Sequence, residues 1–290
     1  MTSVDIILFC YNQEQYIEQA LRSIYAQNLP KKVVARIIVA DDCSFDHTLS
    51  IIKRLAPESP FPIVFLPEEP NMGISKNYKR SFAATHSEYV AILEGDDYWF
   101  PDHLFQHIRF LSSHQRYSLS INQLQFLKEG EGLQESYWPF IVSHVSISLR
   151  QQIECGNQLG NLSSCVIRGK YLRSLPESFF DFQFADWELG MFLAELGPMA
   201  KLKGVTSVYR VKPSGQWVQL NDNERLSSRL TSIEEMDAFF GRKYHDSFLK
   251  VQNRIERGEP FSYHEFPVIS VILLGIRKSL KRVKGFFIKR

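Results

Sequence analysis

An α/β fold built on a mostly parallel sheet is predicted by three observations. Continuous apolar runs at Val4–Cys10, Ala35–Ala40 and Tyr89–Leu93 have the length and β-branched content of strands buried on both faces. Segments with helical spacing separate them, and strands alternating with helices assemble a parallel sheet. Two of the runs end at adjacent aspartates, Asp41-Asp42 and Asp96-Asp97, and an open sheet of this kind keeps its chemistry at the carboxyl ends of its strands.

In chain order, the first strand enters a turn at Tyr11–Gln15. Tyr16, Ile17, Ala20, Leu21, Ile24 and Tyr25 then recur at helical spacing, with Asn12 expected to cap that helix and Gln15 to return the bond. The second strand ends in Asp41-Asp42-Cys43-Ser44-Phe45-Asp46, and a helix over Thr48–Leu55 is stopped by Pro57. Ile63–Leu66 supplies a third strand. Pro70–Ser75, carrying Asn71 and Gly73, turns into a helix around Asn77–Thr85, and the Tyr89–Leu93 strand follows. No G-x-G-x-x-G or G-x-x-x-x-G-K-[ST] follows the first strand, which argues against a dinucleotide fold and a P-loop.

Two carboxylates side by side at a sheet rim repel each other and call for a cation. Mg²⁺ or Mn²⁺ takes one or two protein carboxylates and completes its shell with water and diphosphate oxygens, so Asp96-Asp97 reads as a metal–nucleotide site. The plain alternative is a solvated turn that holds two acids.

From His114 to Gln158 the pattern weakens to a strand at Ser118–Ile121 and a turn at Glu129–Gly132. Trp138 and Phe140 fit either a core or an acceptor groove. A further constellation runs from Asn161 to Arg168 and on to Asp186, which starts a largely apolar helix that Gly197-Pro198 ends; as a helix-start acid, Asp186 is explained equally by an N-cap. Val205–Val211 is a strand, and the cations Arg210 and Lys212 at its end suit either a diphosphate or a solvated loop. Asn221–His245 has the spacing of an amphipathic helix. Residues 267–290 form a basic helical stripe too short in its apolar run to span a bilayer, and fit a membrane surface or a protein partner.

The chain has 290 residues, 44% hydrophobic and 23% charged, as expected of an ordinary globular protein. The start shows no basic region and cleavage site of a signal peptide, and four scattered cysteines form no C-x-x-C pair, which together predict a reducing, cytoplasmic setting. The net charge of +2 is uneven. From Phe266 onward there are seven basic residues and no acid, which leaves 27 basic against 32 acidic residues before it. That excludes nucleic acid as an electrostatic partner of the main body.

The segments Ile6–Gln13, Ile38–Asp46, Asn71-Met72-Gly73 and Leu93–Asp97 resemble, in order and spacing, the successive motifs of family 2 glycosyltransferases of the GT-A fold. The resemblance extends over Val4–Trp217. It implies a GT-A domain over 1–220, with a nucleotide-binding half at 1–112 and an acceptor-side half at 113–220, and a helical extension over 221–290. It also implies inverting transfer of a sugar from a nucleoside diphosphate donor, usually UDP-linked, to a glycan or lipid-linked acceptor. By that similarity Tyr11 lines the base pocket beside Asn12, and Asp41 and Asp42 meet uracil and ribose. Asn71, Gly73 and Asp96 stand on the donor side, Asp97 holds Mn²⁺ or Mg²⁺, and Asp186 is the catalytic base, with Ala185 where the family has Glu. Arg210 and Lys212 lie in a segment similar to the family's Tyr-Arg-x-His and would meet the diphosphate. A nucleotide-sugar-binding subunit of weak catalysis is the competing expectation.

Overall fold

The computed structural model describes residues 2–134, 143–182, 186–213, 215 and 219–259. β1 (Thr2–Cys10) leads through α1 (Ile17–Tyr25) to β2 (Val33–Asp41), and α2 (Thr48–Leu55) leads to β3 (Ile63–Phe65). α3 (Ile74–Ala83) precedes β4 (Tyr89–Glu94), β5 (Tyr98–Trp99) and α4 (His103–Ser113). The middle of the chain holds β6 (Leu119–Ile121), β7 (Leu124–Lys128), β8 (Gly132–Leu133), β9 (His144–Ile147), α5 (Leu149–Glu154), β10 (Cys165–Arg168) and α6 (Gly169–Leu172). Then come α7 (Asp186–Leu196), β11 (Met199–Leu202), β12 (Ser207–Val211), α8 (Asp222–Phe239) and α9 (His245–Glu256).

Eight strands form one sheet in the order β3-β2-β1-β4-β10-β6-β11-β9. β3, β2, β1 and β4 are parallel, while β10 and β9 run against their neighbours. From β1 the chain steps outward to β2 and β3, and β4 then returns to the opposite flank of β1. Such a reversal opens a crevice at the carboxyl ends of the two central strands. The apolar runs are buried on both faces, as their composition predicts. Ile7, Phe9, Ile38 and Ile92 pack into one core layer, and Ile6, Leu8, Ile37 and Leu93 into the other. α1 buries Ile17, Ala20, Leu21 and Ile24 against the second layer.

A smaller sheet, β5-β12-β7-β8, stands at the mouth of the crevice. β5 begins one residue after Asp97 and pairs antiparallel with β12, which brings Tyr209 and Arg210 beside the acidic turn.

One expectation changes. Asn12 does not cap α1: its backbone is left-handed (φ 52°), its Oδ1 accepts from Phe45 N at 3.0 Å, and its N–H donates to Ser44 Oγ. α1 starts instead on the Gln13 carbonyl, which accepts from Ile17 N. In the expected helical extension, Ile233 and Met236 of α8 and Phe248, Val251 and Ile255 of α9 join the core layer that contains Ile7 and Ile38. Trp138, Phe140 and the basic stripe at 267–290 lie outside the described residues.

Candidate active site

On one side of β1, the loop after β2 is cross-tied to the loop after β1. Asp41 accepts from Ser44 N and Ser44 Oγ, Asp46 accepts from Glu14 N, and Gln13 N donates to Thr48 Oγ1. Asp42 is buried, and its two oxygens accept from Met72 N and Gly73 N, both at 3.1 Å. Asn71 Nδ2 donates back to the Asp42 carbonyl. Gly73 holds φ +80°, a left-handed conformation that favours glycine, and starts α3. Tyr11 and Phe45 stand exposed on the rim, edge to face with ring centroids 6.3 Å apart.

On the other side, the turn Glu94-Gly95-Asp96-Asp97 is folded tightly against β1. Gly95 N donates to the Phe9 carbonyl, and a Cβ there would meet that oxygen at 3.1 Å and Ile17 Cδ1 at 2.8 Å, so only glycine fits without displacement. The carboxylates of Glu94, Asp96 and Asp97 offer oxygens that lie within 4.8 Å of one another. Asp97 is the deepest, 1% exposed, with Oδ1 on Arg210 N (2.9 Å) and Oδ2 on Ser163 Oγ (2.7 Å). Glu94 accepts from Tyr78 OH and from Asn161 Nδ2. Asp96 is the accessible member of the group, and Lys212 Nζ lies 2.6 Å from its Oδ2. Arg210 donates to the Asp96 carbonyl and to Gln19, with its guanidinium over the Tyr16 ring.

Three negative groups so close together hold protons more tightly than isolated carboxylates. Burial, and then the charge of Asp96, push Glu94 up to about 7 against its hydrogen bonds from Asn161 and Tyr78. Burial and the charges of Asp96 and Glu94 also hold the Asp97 carboxyl well above the usual range. Asp186, the first residue of α7, completes the group. Burial and the charges of Glu94 and Glu188 push it well up, so it lies within electrostatic reach of Glu94. The Tyr209 phenol is raised by burial and by the charges of Glu94, Asp97, Asp96 and Asp186 in turn.

Residues 5–169, more than half of the chain, match the sequence model described as Glycosyl transferase family 2. The chain belongs to glycosyltransferase family 2. Uncharacterized protein Rv1520 of Mycobacterium tuberculosis is 30% identical over 217 residues, 74% of this chain and 60% of that protein. The chain thus matches less than two thirds of that relative's length. Poly(ribitol-phosphate) β-N-acetylglucosaminyltransferase TarS of Staphylococcus aureus is 29% identical over 114 residues, 39% of this chain and 20% of TarS. The crystal structure of TarS 1–349 in complex with UDP-GlcNAc aligns with a TM-score of 0.60 at 20% identity, covering 81% of this chain and 66% of that one. Mannosyltransferase PcManGT from Pyrobaculum calidifontis, in complex with GDP-Man and Mn²⁺, aligns with a TM-score of 0.57 at 16% identity, covering 96% and 80%. At these identities the likeness is one of fold, and that fold is GT-A.

Within this family 2 frame the structure brings Asp96, Asp97, Asp186, Arg210 and Lys212 to one crevice, with Asp41, Asp42, Asn71, Gly73, Tyr11 and Asn12 across β1 from them. Glu94, Asn161, Ser163 and Tyr209 shape the crevice from within stretches that the sequence singles out without giving them a role, and Tyr78 carries no signal of its own. Ser163 alone joins Glu94 N, Asp97 and, through its carbonyl, Trp99 Nε1. The clue available was position, since Asn161 and Ser163 open the segment before β10 and Glu94 stands two residues ahead of the aspartate pair.

Proposed function

We propose that the chain is an inverting glycosyltransferase that moves a sugar from a UDP-linked donor to a hydroxyl of a glycan or lipid-linked acceptor, in the assembly of a bacterial-type surface polysaccharide. The observation that carries this proposal is the clustering of Glu94, Asp96 and Asp97 at the end of β4, where the strand order reverses, with Asp186 near enough to interact electrostatically with Glu94. Tyr11 and Asn12, with Asp41 and Asp42, would receive the base and ribose. The turn at Asn71 and Gly73, anchored by Asp42, would close that side. TarS, whose structure holds UDP-GlcNAc, supports uridine. PcManGT, whose structure holds GDP-Man, makes the base the first property to test.

The donor set is carboxylate oxygen only, which fits a hard divalent ion such as Mn²⁺ or Mg²⁺. Asp96 is the ligand best placed to hold it, because its Oδ1 carries no donor among the described residues, whereas both oxygens of Glu94 and of Asp97 accept from protein donors. Asp97 would then orient the turn rather than reach the ion first. When bound, the ion supplies positive charge to the departing diphosphate.

Asp186 would take the proton of the acceptor hydroxyl as its oxygen bonds to the anomeric carbon. The old bond breaks on the opposite face, and its electron pair leaves with the diphosphate. A raised proton affinity suits that task, and a placed base contributes typically ~10²–10⁴-fold. Arg210 and Lys212 would meet the diphosphate. The basic segment 267–290 would bring the crevice to an anionic membrane surface, where a lipid-linked acceptor lies.

Calorimetry and turnover together test the assignment. Asp186→Asn is expected to bind UDP with wild-type affinity while transfer and slow donor hydrolysis fall by about 10²-fold or more. Full activity in that variant removes Asp186 as base. Binding without turnover in the wild type favours a nucleotide-sugar-binding subunit instead.

A further inference from the structure

The oxygens of the acidic turn are unequally committed. Both of Glu94's and both of Asp97's accept from protein donors. Asp96 differs, because Lys212 Nζ sits 2.6 Å from Oδ2, and Oδ1 carries no donor among the described residues. The ammonium is not a stray surface charge. Its side chain is 15% exposed, and it lies 5.0 Å from the centre of the Tyr16 ring, which Arg210 also covers at 4.6 Å. Tyr16 OH in turn donates to Glu129, in the turn between β7 and β8. The cation is therefore positioned jointly by β12, α1 and the minor sheet, against a cluster that would otherwise be all acid.

An ammonium that close to Asp96 Oδ2 stands on the side from which a divalent ion would approach that oxygen, and two cations sharing one carboxylate oxygen repel. We propose that Lys212 is the resident cation of this site, so that the donor's diphosphate binds without requiring a divalent metal. The inference rests on the donor site described under Proposed function, and it deepens that proposal. Lys212 neutralises Asp96 before the donor arrives and then offers its remaining N–H groups to the diphosphate, since an ammonium carries three donors. A bound metal adds to that charge at the free Asp96 oxygen instead of creating it.

The test is titration calorimetry of UDP, and separately of GDP, into the full chain in excess EDTA and in Mn²⁺. For the wild type, the better nucleotide is expected to bind in EDTA within about threefold of its affinity in Mn²⁺. Lys212→Ala and Lys212→Gln are expected to lose about tenfold or more in EDTA and to regain most of it with Mn²⁺. Lys212→Arg, which keeps the charge, is expected to stay near the wild type in EDTA and serves as the control for folding. Wild-type binding that appears only with Mn²⁺ overturns the inference and leaves the donor site standing. So does a Lys212→Ala protein that binds in EDTA as well as the wild type. If neither UDP nor GDP binds in either buffer, the donor site itself is refuted, and the role of Lys212 with it.

Discussion

Glu94 sits between two kinds of partner, donors from Tyr78 and Asn161 on its own side and the charge of Asp96 on the other. Burial and Asp96 prevail, and its carboxyl is pushed up to about 7 from an ordinary 4.5. Between those values the folded chain holds a proton that the unfolded chain has released, so folding stability must fall as pH rises through that window. The contribution is complete below about pH 4.5 and gone once the pH has passed about 7. In EDTA and without nucleotide, the melting temperature of the wild type is expected to drop from pH 5 to pH 8 by more than that of Glu94→Gln, which cannot ionise. Parallel pH profiles for the two proteins would exclude Glu94 as the titrating group. The same residue shows why the acidic turn is richer than a pair of aspartates: the third carboxylate comes from the last position of β4, where the sequence reads as the end of a strand.

At the scale of elements, β1 is fixed at its amino end and open at the other. Asp5, fully buried, accepts from Arg36 Nε on β2, from the backbone N–H groups of His86 and Ser87 ahead of β4, and from Ser87 Oγ. Burial alone would raise its pKa, but Arg36 and the other donors outweigh it and hold the carboxyl below the ordinary 3.8. Its contribution is therefore present above pH 3.8 and lost as the pH falls through the lowered folded value. Asp5→Asn keeps the shape but removes the charge facing Arg36, and is expected to cost roughly 3 kcal/mol in chemical denaturation at neutral pH with little change in UDP affinity. A loss below about 0.5 kcal/mol would mean the clamp is dispensable. These strands were legible in the sequence because each is a continuous apolar run, and those of β2 and β4 are closed by acids. Of the minor sheet only β12 was, as the strand expected at Val205–Val211, and its pairing was not. The strands of that sheet are two to five residues long and half exposed, β12 pairs with a β7 some eighty positions earlier, and neither hydrophobic period nor turn chemistry encodes such a partner. Asn12 was misjudged for a related reason. A cap is a local bond, whereas Asn12 bonds to Phe45 across thirty-three positions. Asp186 was legible as a helix start, but its meeting with Glu94 depends on the packing of α7 against α5 and the rest of the core.

For the molecule as a whole, the placement of Asp186 ties the chemistry to the last described helices. α7 packs on α5, and α5 packs on α9. Phe239 of α8 meets Phe179 at 5.6 Å and Phe192 of α7 at 6.2 Å. Ile233, Met236, Phe248, Val251 and Ile255 are all buried in the layer that includes Ile7 and Ile38. Burying one such side chain is worth about 1.5–3 kcal/mol, and a whole domain is stable by only about 5–15 kcal/mol. A chain ending at residue 220 would therefore forfeit a share of stability comparable to the total and uncover Phe192 of α7, the helix that Asp186 starts. It is expected to unfold with a broadened transition, at least 10 °C lower, and to lose transfer activity. A chain ending at residue 259 keeps every one of those contacts. It is expected to melt with the full chain and to bind UDP equally well, while losing co-sedimentation with anionic vesicles if the basic stripe is what reaches the membrane. A 1–220 chain that melts cooperatively at the full-length temperature would show that α8 and α9 are an attachment rather than part of the core. Unchanged vesicle binding by the 1–259 chain would locate the membrane contact elsewhere or nowhere.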